Sequence, residues 1–389
     1  MTTRLLLAGA GHAHLSVMGN LTELMSRGAA VTVINAEAHH YYSGMGPGML
    51  SGRYRPDDIR IDVKRLVESQ GAAFVTDRVV AVNPDTRRVR LTGGDSIHYD
   101  LVSFNIGSGV VPPPGEGGGR VFPVKPISGL IDLQETVIRE LAEGPLRVTV
   151  VGGGAAGVEV AGNLRALGDR RGGDLRVSLI TGGRLLTGFH PKARTTVIRA
   201  FTSRGIAVTE NQRVAGLSPE GLQLADGSHA PGVAETASDL RGFQIFWKPR
   251  RSIDLIVLAT GIAPSPVFRD SGVPTGPDGG LRVNACLQSV AHPEIFGGGD
   301  CIHFDPRPLR RIGVYAVRQN PVLRHNLMAA LTGHPLVPFR PQKSFMLIIN
   351  LGDGTGVLCR EGLIIRSRLA FWLKHWIDTR FIRSVRGRR

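Results

Sequence analysis

Three glycines near the middle of the chain have the spacing of a dinucleotide-binding turn. Gly152, Gly154 and Gly157 follow the apolar run LRVTVV at 146–151 and lead into a segment with helical periodicity. A strand, a glycine-rich turn and the start of a helix together bind a pyrophosphate. Glycine lets the backbone approach the anion, and the unpaired N–H groups and the helix dipole stabilise it. This stretch is therefore predicted to bind a dinucleotide.

A second copy of the pattern lies at the start of the sequence. The apolar run at 5–8 leads into Gly9 and Gly11, and His14 stands where the third glycine would be. A GxG turn is a weak signal by itself, but two strand–turn–helix units indicate two dinucleotides, or one dinucleotide and one relict site. Residues 12–24 have apolar side chains at helical spacing and are predicted to form one helix.

The strand after each such turn normally ends in an acid that binds the adenosine ribose. Asn35 takes this place in the first unit, with Glu37 two residues further on, and an ordinary strand end is the alternative. Thr181 takes it in the second unit, and Arg184, three residues later, could accept the 2′-phosphate of NADPH. The sequence leaves NADH and NADPH open.

Three further strand ends could approach the same ligands. The run YDLVSFNIGS reaches Gly107, LIVLATG reaches Gly261, and IFGGGD reaches Gly299 and Asp300. An acid directly after a strand and glycines is well placed to hold a polyol hydroxyl, while the next helix start offers N–H groups to a phosphate. A β-turn aspartate is the simpler alternative for Asp300.

Strands and helices alternate along most of the chain, which predicts an α/β fold. We predict two Rossmann-like three-layer domains, one inserted in the other, and a C-terminal segment ending in an amphipathic helix. The stretch 111–120, rich in glycine and proline, is predicted to be a linker. The predicted boundaries are 1–112 and 266–335 for the two parts of the outer domain, 113–265 for the inserted domain and 336–389 for the C-terminal segment.

Composition indicates a globular protein in a reducing compartment. The chain has 389 residues, 42% of them apolar, with no secretory signal and no apolar run long enough to span a bilayer. Its three cysteines, Cys286, Cys301 and Cys359, are scattered without the spacing of a metal site. We therefore expect a cytoplasmic location and no metal.

The last part of the chain is basic and amphipathic. Residues 366–389 contain eight lysines and arginines against one acid, about half of the net charge of +15. Apolar residues, two of them tryptophans, recur at helical spacing from 369 to 385. Such a helix is typical of a protein bound to an anionic membrane surface, here the inner face of the cell membrane. Packing on the chain's own core or on a second subunit of a homodimer is the alternative, and no nucleic-acid partner is expected.

The order of these motifs resembles the pyridine nucleotide-disulfide oxidoreductase superfamily, whose members are flavoproteins with two dinucleotide sites. Within it, the stretches GAGHAH, YYSGMGPGMLSGRY, FNIGS, PVKPI and GVYAVRQNPVLRHNL are similar to the type II NADH dehydrogenase-like group. That group includes the flavoprotein found fused to selenide, water dikinase. His14 is among the matching features.

The resemblance implies FAD in the first unit and NADH or NADPH in the second. It places Glu159, two residues after the third glycine, near the contact between nicotinamide and flavin. Lys125 is a further candidate, for a charge near those rings. A helix-surface acid and a solvent lysine are the simpler alternatives. The residues predicted to bind the cofactors are Gly9, Gly11, His14, Asn35, Glu37, Gly107, Gly152, Gly154, Gly157, Gly261, Gly299, Asp300 and Val317.

The implied activity is hydride transfer from the nicotinamide to FAD, then electron transfer to an acceptor, with a quinone as first candidate. No cysteine precedes Cys286, so the redox CxxxxC of the disulfide-reducing members is absent and thiol–disulfide transfer is excluded. The AQxxxQ signature of type II dehydrogenases is replaced by AVRQ at 316–319. A soluble acceptor (a small redox protein, or a selenium or sulfur species) and a flavin-binding sensor with little turnover stay open.

Overall fold

A computed structural model of the chain describes residues 2–115, 120–218, 221–228, 254–342 and 344–386. Residues 116–119 of the predicted linker and the last three residues of the basic tail, 387–389, lie outside the described residues. The described part contains two five-stranded parallel sheets, several small antiparallel sheets, and helices packed around them.

The first parallel sheet carries the amino-terminal turn. Leu5 in its central strand lies opposite Val31 on one side and Leu101 on the other, and all three belong to one apolar core or pack against it. Val82 and Val89 of a three-stranded antiparallel sheet are buried in the same core. The order of the parallel strands is Ile295–Gly297, Leu101–Phe104, Thr3–Ala8, Ala29–Asn35 and Ala73–Thr76, and the antiparallel strands are Val79–Asn83, Arg88–Leu91 and Ser96–His98.

The second parallel sheet carries the turn at 152–157. Its strand order is Arg120–Pro123, Leu255–Leu258, Leu146–Val151, Leu175–Ile180 and Ala207–Thr209, and the helices Gly129–Glu143, Ala155–Arg171 and Pro191–Thr202 bury their apolar faces in its core. In sequence these strands fall between strands of the first sheet. The predicted α/β fold, with one Rossmann-like unit inserted in another, is confirmed, while the residue boundaries of the domains stay predictions.

The C-terminal segment is a small antiparallel sheet followed by the predicted amphipathic helix. The strands are Leu347–Asn350, Gly356–Arg360 and Leu363–Ser367, and the helix is Arg368–Arg386. A Cβ on Gly162, in the helix after the second glycine turn, would lie 2.4 Å from the carbonyl oxygen of Leu351. The C-terminal sheet therefore packs closely on the second Rossmann-like unit at a position where no side chain fits.

The remaining elements are short, except one long helix, Gly313–Thr332, which packs on the amino-terminal turn. The short helices are Leu15–Met18, Leu21–Ser26, Gly46–Leu50, Pro56–Ile59, Val63–Glu68 and Val267–Asp270, with 3₁₀ turns at His12–His14 and Gly299–Cys301. The short strands pair as His39–Tyr41 with Arg60–Asp62, Ser108–Val110 with Ile262–Pro264, Val214–Ser218 with Gly221–Leu224, and Leu281–Val283 with Ile302–Phe304.

The single helix predicted over residues 12–24 is wrong. The segment is divided into a 3₁₀ turn and two short helices, with a break at Gly19 and Asn20. At the break, two side chains form hydrogen bonds with backbone groups. Asn20 Nδ2 donates to the carbonyl of Ser16 at 2.6 Å, and Gln70 Oε1 accepts from the N–H of Leu21 at 2.8 Å. Side chains that compete for backbone hydrogen bonds end a helix without altering its apolar spacing.

The side chain of Asn105 joins two strand ends of the first sheet. Its Oδ1 accepts from the N–H of Ala13 at 3.0 Å, and its Nδ2 donates to the carbonyl of Gly298 at 2.6 Å. Asn105 is only 4% exposed, so neither backbone group can turn to water instead. One amide thereby fixes the amino-terminal turn against the turn that precedes Asp300.

We expect Asn105→Ala to destabilise the protein by about 2–5 kcal/mol, because it leaves two buried backbone groups without partners. Urea unfolding followed by circular dichroism measures the loss. Asn83→Ala, which removes an exposed asparagine that accepts from the N–H of Thr86, is the matched control and should cost about 1 kcal/mol or less. Equal losses for the two variants would contradict the joining role of Asn105.

Candidate functional site

One cavity of about 1440 Å³ runs past the carboxyl ends of both parallel sheets. Gly11 and Gly107 line it from the first sheet, Gly154 and Gly261 from the second, and Lys374 from the C-terminal helix. Ligands of doubly wound folds bind at this end of the strands. A typical small-molecule pocket has roughly 300–1,000 Å³, so this cavity has room for two neighbouring ligands.

The first glycine turn is pressed against Asn105. Gly9 has a φ of +89°, and a Cβ there would lie 2.4 Å from the carbonyl oxygen of Asn105. A Cβ on Gly11 would lie 2.3 Å from Asn105 Oδ1. No side chain fits at either position. Of the two glycines, Gly11 lines the cavity and Gly9 lies behind it.

The two candidates for the ribose acid have different surroundings. Asn35 Oδ1 accepts from the N–H of Ala10 at 2.9 Å, and Asn35 Nδ2 donates to the carbonyl of Glu37 at 2.7 Å. Both ends of the Asn35 amide therefore form hydrogen bonds that hold the turn. The carboxylate of Glu37 accepts from the hydroxyl of Ser128 at 3.0 Å, and both residues line the cavity. Glu37 is thus the acid placed at this strand end.

His14 is fully buried behind the turn and does not line the cavity. Its Nδ1 donates to the carbonyl of Gly9 at 2.6 Å, and its Nε2 accepts from the hydroxyl of Ser103 at 2.8 Å. Burial lowers the pKa of His14 to about 4, so the ring is neutral near pH 7. A histidine fits where the motif usually has a small residue because its ring forms two hydrogen bonds that hold the turn in place.

Two residues far apart in sequence meet at the turn after Ile295–Gly297. Lys125 Nζ lies 2.5 Å from Asp300 Oδ2, and the hydroxyl of Ser108 donates to the same oxygen at 3.0 Å. Lys125 Nζ also donates to the Ser108 hydroxyl at 2.9 Å. All three residues line the cavity. The carboxylate of Asp300 therefore sits at the cavity wall with a cation beside it.

The long helix Gly313–Thr332 supports this turn. A Cβ on Gly299 would lie 2.4 Å from Asn105 Nδ2, and the N–H of Gly299 donates to Gln319 Oε1 at 2.7 Å. Val317 and Gly299 line the cavity, whereas Gln319 does not. In the AVRQ sequence at 316–319, the glutamine thus positions Gly299, and the valine faces the ligand space.

The second glycine turn is packed in the same way against its own sheet. A Cβ on Gly152 would lie 2.2 Å from the carbonyl oxygen of Ala259, and one on Gly157 would lie 1.9 Å from that of Gly152. Gly154 and Gly261 have nothing within 4 Å of such a Cβ, so they leave open space at the start of the helix Ala155–Arg171. Gly152, Gly154 and Gly261 line the cavity, and Gly157 lies behind it.

Glu159 faces the C-terminal segment. Its Oε1 accepts from the N–H of Asn350 at 2.8 Å. Burial raises the pKa of Glu159 to about 7, and the ammonium of Lys374 partly opposes that rise. A carboxyl group with this pKa exchanges its proton at neutral pH.

Lys374 belongs to a polar cluster around Glu159. Its Nζ donates to Asp378 Oδ2 at 2.7 Å and to the carbonyl of Gly44 at 2.6 Å, and the hydroxyl of Tyr42 donates to Asp378 Oδ1 at 3.0 Å. Burial lowers the pKa of Lys374, but the carboxylates of Asp378 and Glu159 outweigh it and raise that pKa overall. All five residues line the cavity.

Several buried polar atoms in the cavity wall point to a ligand. His12 Nε2, His40 Nε2 and Thr260 Oγ1 have no hydrogen-bond partner among the described residues. The rings of His12 and His40 lie edge to face, with centroids 4.7 Å apart, and burial lowers the pKa of His12 to about 4. Buried polar atoms without partners are costly, so a bound polar ligand fits here. Together with the two glycine turns, these groups suit two dinucleotides.

The sequence interpretation missed part of this site. Asn105, His12 and His40 were not singled out, and Lys374 and Asp378 were counted only as members of an amphipathic tail. The position of Asn105, directly after a buried strand, is the one local signal that could have identified it. For Lys374 and Asp378 there is no such signal, because both face a cavity built by other segments.

Of the three cysteines, Cys359 lines the cavity, whereas Cys286 and Cys301 do not. Cys301 is buried, its Sγ is 3.3 Å from the carbonyl oxygen of Gly298, and burial raises its pKa to about 12. Cys286, Cys301 and Cys359 are all free thiols. Across the residues described, no cluster of three metal-ligating side chains occurs, and no helix is long and apolar enough to cross a membrane.

Comparison with known proteins places this geometry in a family. The pyridine nucleotide-disulphide oxidoreductase family matches residues 3–326. Ferroptosis suppressor protein 1 of Taeniopygia guttata is 26% identical over 330 residues, which cover 82% of this chain and 79% of that protein. Demethylphylloquinone reductase NdbB of Synechocystis is 27% identical over 312 residues, covering 77% of this chain and 72% of that one.

Among solved structures, the sulfide:quinone oxidoreductase of Aquifex aeolicus has the same fold. Its TM-score to this chain is 0.78 at 17% sequence identity, and the match covers 100% of this chain and 92% of the other. The family match spans both parallel sheets and the turn that precedes Asp300. The chain therefore belongs to the pyridine nucleotide-disulphide oxidoreductase family and is a flavin-dependent oxidoreductase whose two dinucleotides are FAD and NADH or NADPH.

Proposed function

We propose that this chain passes electrons from NADH or NADPH through FAD to a quinone. The observation that carries the proposal is the cluster of Glu159, Lys374, Asp378 and Tyr42 in the cavity wall. Reduction of a quinone consumes protons together with electrons, and Glu159, whose pKa burial raises to about 7, exchanges a proton near neutral pH. The similarity to demethylphylloquinone reductase supports the same acceptor class.

The first turn suits the pyrophosphate of FAD. Gly11 would let the backbone approach the phosphates, Glu37 would bind the adenosine ribose, and Asp300 would accept from a ribityl hydroxyl. His14 holds the turn in place from behind, and Asn35 holds it from the cavity side. Lys125 forms an ion pair with Asp300 and would place a positive charge at that end of the cofactor. When bound, FAD supplies the chemistry of accepting a hydride and releasing electrons singly or in pairs.

The second turn suits the pyrophosphate of the nicotinamide dinucleotide. Gly154 leaves the start of the helix Ala155–Arg171 open to the cavity, and the helix dipole favours an anion there. Gly157 allows the helix to pack on the turn. Gly107 from the first sheet and Gly261 from the second line the same cavity, and the two rings would meet beside them.

The acceptor site that we propose lies beside the C-terminal helix. Lys374 would hold an acceptor oxygen through its ammonium, and Glu159 would donate a proton as that oxygen gains charge. Tyr42 and Asp378 keep Lys374 in place through the hydrogen bonds described above. Ile377 lines the cavity and is also 37% exposed, so the cavity wall continues to the outer face of this helix.

That outer face supports a membrane-bound location. Leu369 and Trp376 are 79% and 56% exposed, and Trp372 and Leu373 stand beside them. Exposed arginines surround this face, at Arg368, Arg380 and Arg383. Apolar side chains with basic neighbours favour an anionic bilayer surface, with about 1 kcal/mol of attraction per basic residue. We infer a cytoplasmic protein held at the inner face of the membrane, where quinones dissolve.

Reduction of a soluble acceptor is the second candidate, favoured by the absence of the AQxxxQ signature at 316–319. The same apolar helix face would then be covered by a second copy of the chain in a homodimer. A flavin-binding sensor is the third candidate, kept open by the threonine at position 181.

The function is tested by anaerobic mixing of the flavin-loaded protein with NADH or NADPH. We expect the yellow flavin to bleach, and reoxidation to be faster with a quinone analogue than with a soluble dye or small redox protein. Flavin that stays yellow with both nucleotides would end the dehydrogenase proposal. Faster reoxidation by the soluble acceptors would favour the second candidate.

Glu159→Gln tests the proton donor. With a pKa of about 7, Glu159 is protonated below pH 7 and ionised above it, so quinone reduction by the wild-type protein should fall as pH rises through about 7. The variant has no proton to give, and we expect roughly 100-fold slower reoxidation at pH 6 and no inflection near pH 7. Stopped-flow reoxidation of pre-reduced flavin from pH 5.5 to 8.5 measures both.

The matched control for this test is Glu143→Gln, which removes an exposed acid at the end of another helix. It should keep the wild-type profile. Slower flavin reduction by NADH in Glu159→Gln, with normal reoxidation, would instead place this residue on the nicotinamide side.

Flotation with liposomes tests the membrane surface. Deletion of 366–389 would also remove Lys374 and Asp378, so we choose the double variant Leu369→Ser, Trp376→Ser, which changes outward side chains only. We expect wild-type protein to float with phosphatidylglycerol vesicles and the double variant to stay in the dense fraction. The control Val111→Ser, Val290→Ser removes exposed apolar groups elsewhere and should float. Flotation of all three would contradict membrane docking through this helix.

A further inference from the structure

The proton that Glu159 would donate has to be replaced after every turnover. A quinone becomes a quinol by gaining two electrons and two protons. A hydride from the reduced flavin would bring both electrons and one proton, and Glu159 would bring the other proton and be left as a carboxylate. Glu159 lines a cavity that the two dinucleotides and the acceptor would fill. A replacement proton therefore needs a route from solvent that does not pass through the cavity.

Tyr54 and His375 lie outside the cavity wall, and together they reach the protein surface. Tyr54 is 8% exposed, whereas His375 is only half-buried. His375 Nδ1 lies 3.0 Å from the hydroxyl oxygen of Tyr54, and the two rings stack with centroids 5.5 Å apart. On its other side, His375 meets the exposed ring of Trp372 edge to face at 5.5 Å. The pair thus extends from the outer face of the C-terminal helix into the protein.

The inner member of the pair, Tyr54, lies close to the residue that binds Glu159. A Cβ on Gly48 would lie 2.5 Å from the ring of Tyr54 and 3.5 Å from Asn350 Nδ2. The N–H of Asn350 is the group that donates to Glu159 Oε1 at 2.8 Å. Tyr54 and Glu159 are therefore both neighbours of Asn350.

Asp378 connects the pair to the polar cluster from the helix side. It lies three residues after His375, and side chains with this spacing are neighbours on a helix surface. Asp378 is 6% exposed and accepts hydrogen bonds from Lys374 and Tyr42. The C-terminal helix therefore brings the half-buried imidazole and a buried carboxylate of the cluster to adjacent positions.

The pKa of Tyr54 suits a group that passes protons without ionising. Burial raises this pKa to about 12. The charges of Asp378 and Glu159 raise it as well, while Arg53 lowers it. The hydroxyl therefore gives up its proton only when it receives another one.

The pKa of His375 suits exchange with solvent. Burial lowers it from the ordinary value of 6.5. Arg53 and Arg383 lower it further, while Asp378 raises it. The ring is therefore mostly neutral at pH 7 and accepts a proton only briefly.

We propose that His375 and Tyr54 relay protons from solvent to Glu159. A proton taken up by His375 would leave Nδ1 for the oxygen of Tyr54, while the hydroxyl proton of Tyr54 passes inward to the carboxylate of Glu159. Tyr54 has no direct hydrogen bond to a carboxylate within the described part of the chain, so the inward step would use one bridging water. One proton enters and one leaves each residue, and no charge accumulates on the pair.

This inference rests on the proposed function and deepens it, because it identifies how the proposed proton donor is recharged. Both residues act through Glu159 and do not touch the acceptor. Their loss should therefore slow the return of the proton and leave the chemical step itself unchanged.

The test separates the first turnover of the flavin-loaded protein from later turnovers. Pre-reduced protein is mixed with a quinone analogue at pH 6, where Glu159 already carries its proton. Steady-state turnover with excess nucleotide and quinone analogue is then measured at pH 7.5 in weak buffer. We expect Tyr54→Phe and His375→Gln to keep the first-turnover rate within about twofold and to lose about tenfold in steady state.

Added imidazole gives a readout that a purely structural role would not move. At constant pH it should restore the steady-state rate of His375→Gln to within about threefold of wild type, because it delivers protons in place of the missing ring. It should not restore Tyr54→Phe. The matched controls are His334→Gln, at an exposed histidine next to Thr332, and Tyr99→Phe, in the core of the first unit, and both should keep wild-type rates.

Equal losses in the first and later turnovers would show that the two residues only hold the helix in place, and would overturn the relay. Wild-type steady-state rates in both variants would overturn it too, as would a loss in His375→Gln that imidazole does not repair. Wild-type flavin that the nucleotide reduces but the quinone analogue does not reoxidise, even in the first turnover, would overturn the proposed function and the relay with it.

Discussion

The first dinucleotide site depends on how closely three glycines approach Asn105. Gly9, Gly11 and Gly299 each pack so closely against Asn105 that a Cβ at any of these positions would collide with one of its atoms. The amide then bonds one backbone group from each of two turns, at Ala13 and Gly298. Because the turns come from opposite ends of the first unit, this contact sets where the pyrophosphate and the polyol of one cofactor can lie relative to each other.

The same principle explains the departures from the dinucleotide-binding pattern. His14 replaces a small residue but binds the carbonyl of Gly9 and the hydroxyl of Ser103, so it stabilises the turn that it would be expected to disturb. Asn35 replaces the ribose acid and holds the N–H of Ala10. In both cases a side chain that departs from the motif supports the turn, and Glu37 is the acid that lines the cavity near the end of the second strand.

The C-terminal helix has one face towards the cavity and another towards solvent. Phe371, Asp378 and Ile382 are buried. Lys374 lines the cavity, as Glu159 does. Leu369 and Trp376 are exposed to solvent. The mostly buried ammonium of Lys374 is stabilised by the carboxylates of Asp378 and Glu159. The apolar stripe seen in the sequence is thus divided, with Val385 buried at its far end and its tryptophans exposed. Helix position alone decides which residues meet the cavity and which meet the outside.

The amino-acid sequence is enough to predict the features that depend on neighbours along the chain. Apolar runs and glycine spacing identified both strand–turn–helix units, the α/β class and the amphipathic tail, because these follow from backbone periodicity and from the steric freedom of glycine. The folded chain alone shows that Lys125 pairs with Asp300, that the charge of Lys374 acts on the carboxyl group of Glu159, and that Arg213 packs on Gly182. These pairs are far apart in sequence, and nothing periodic relates them. They come together because parallel strands bring their carboxyl ends to one edge of each sheet, and the last helix closes the cavity between those edges.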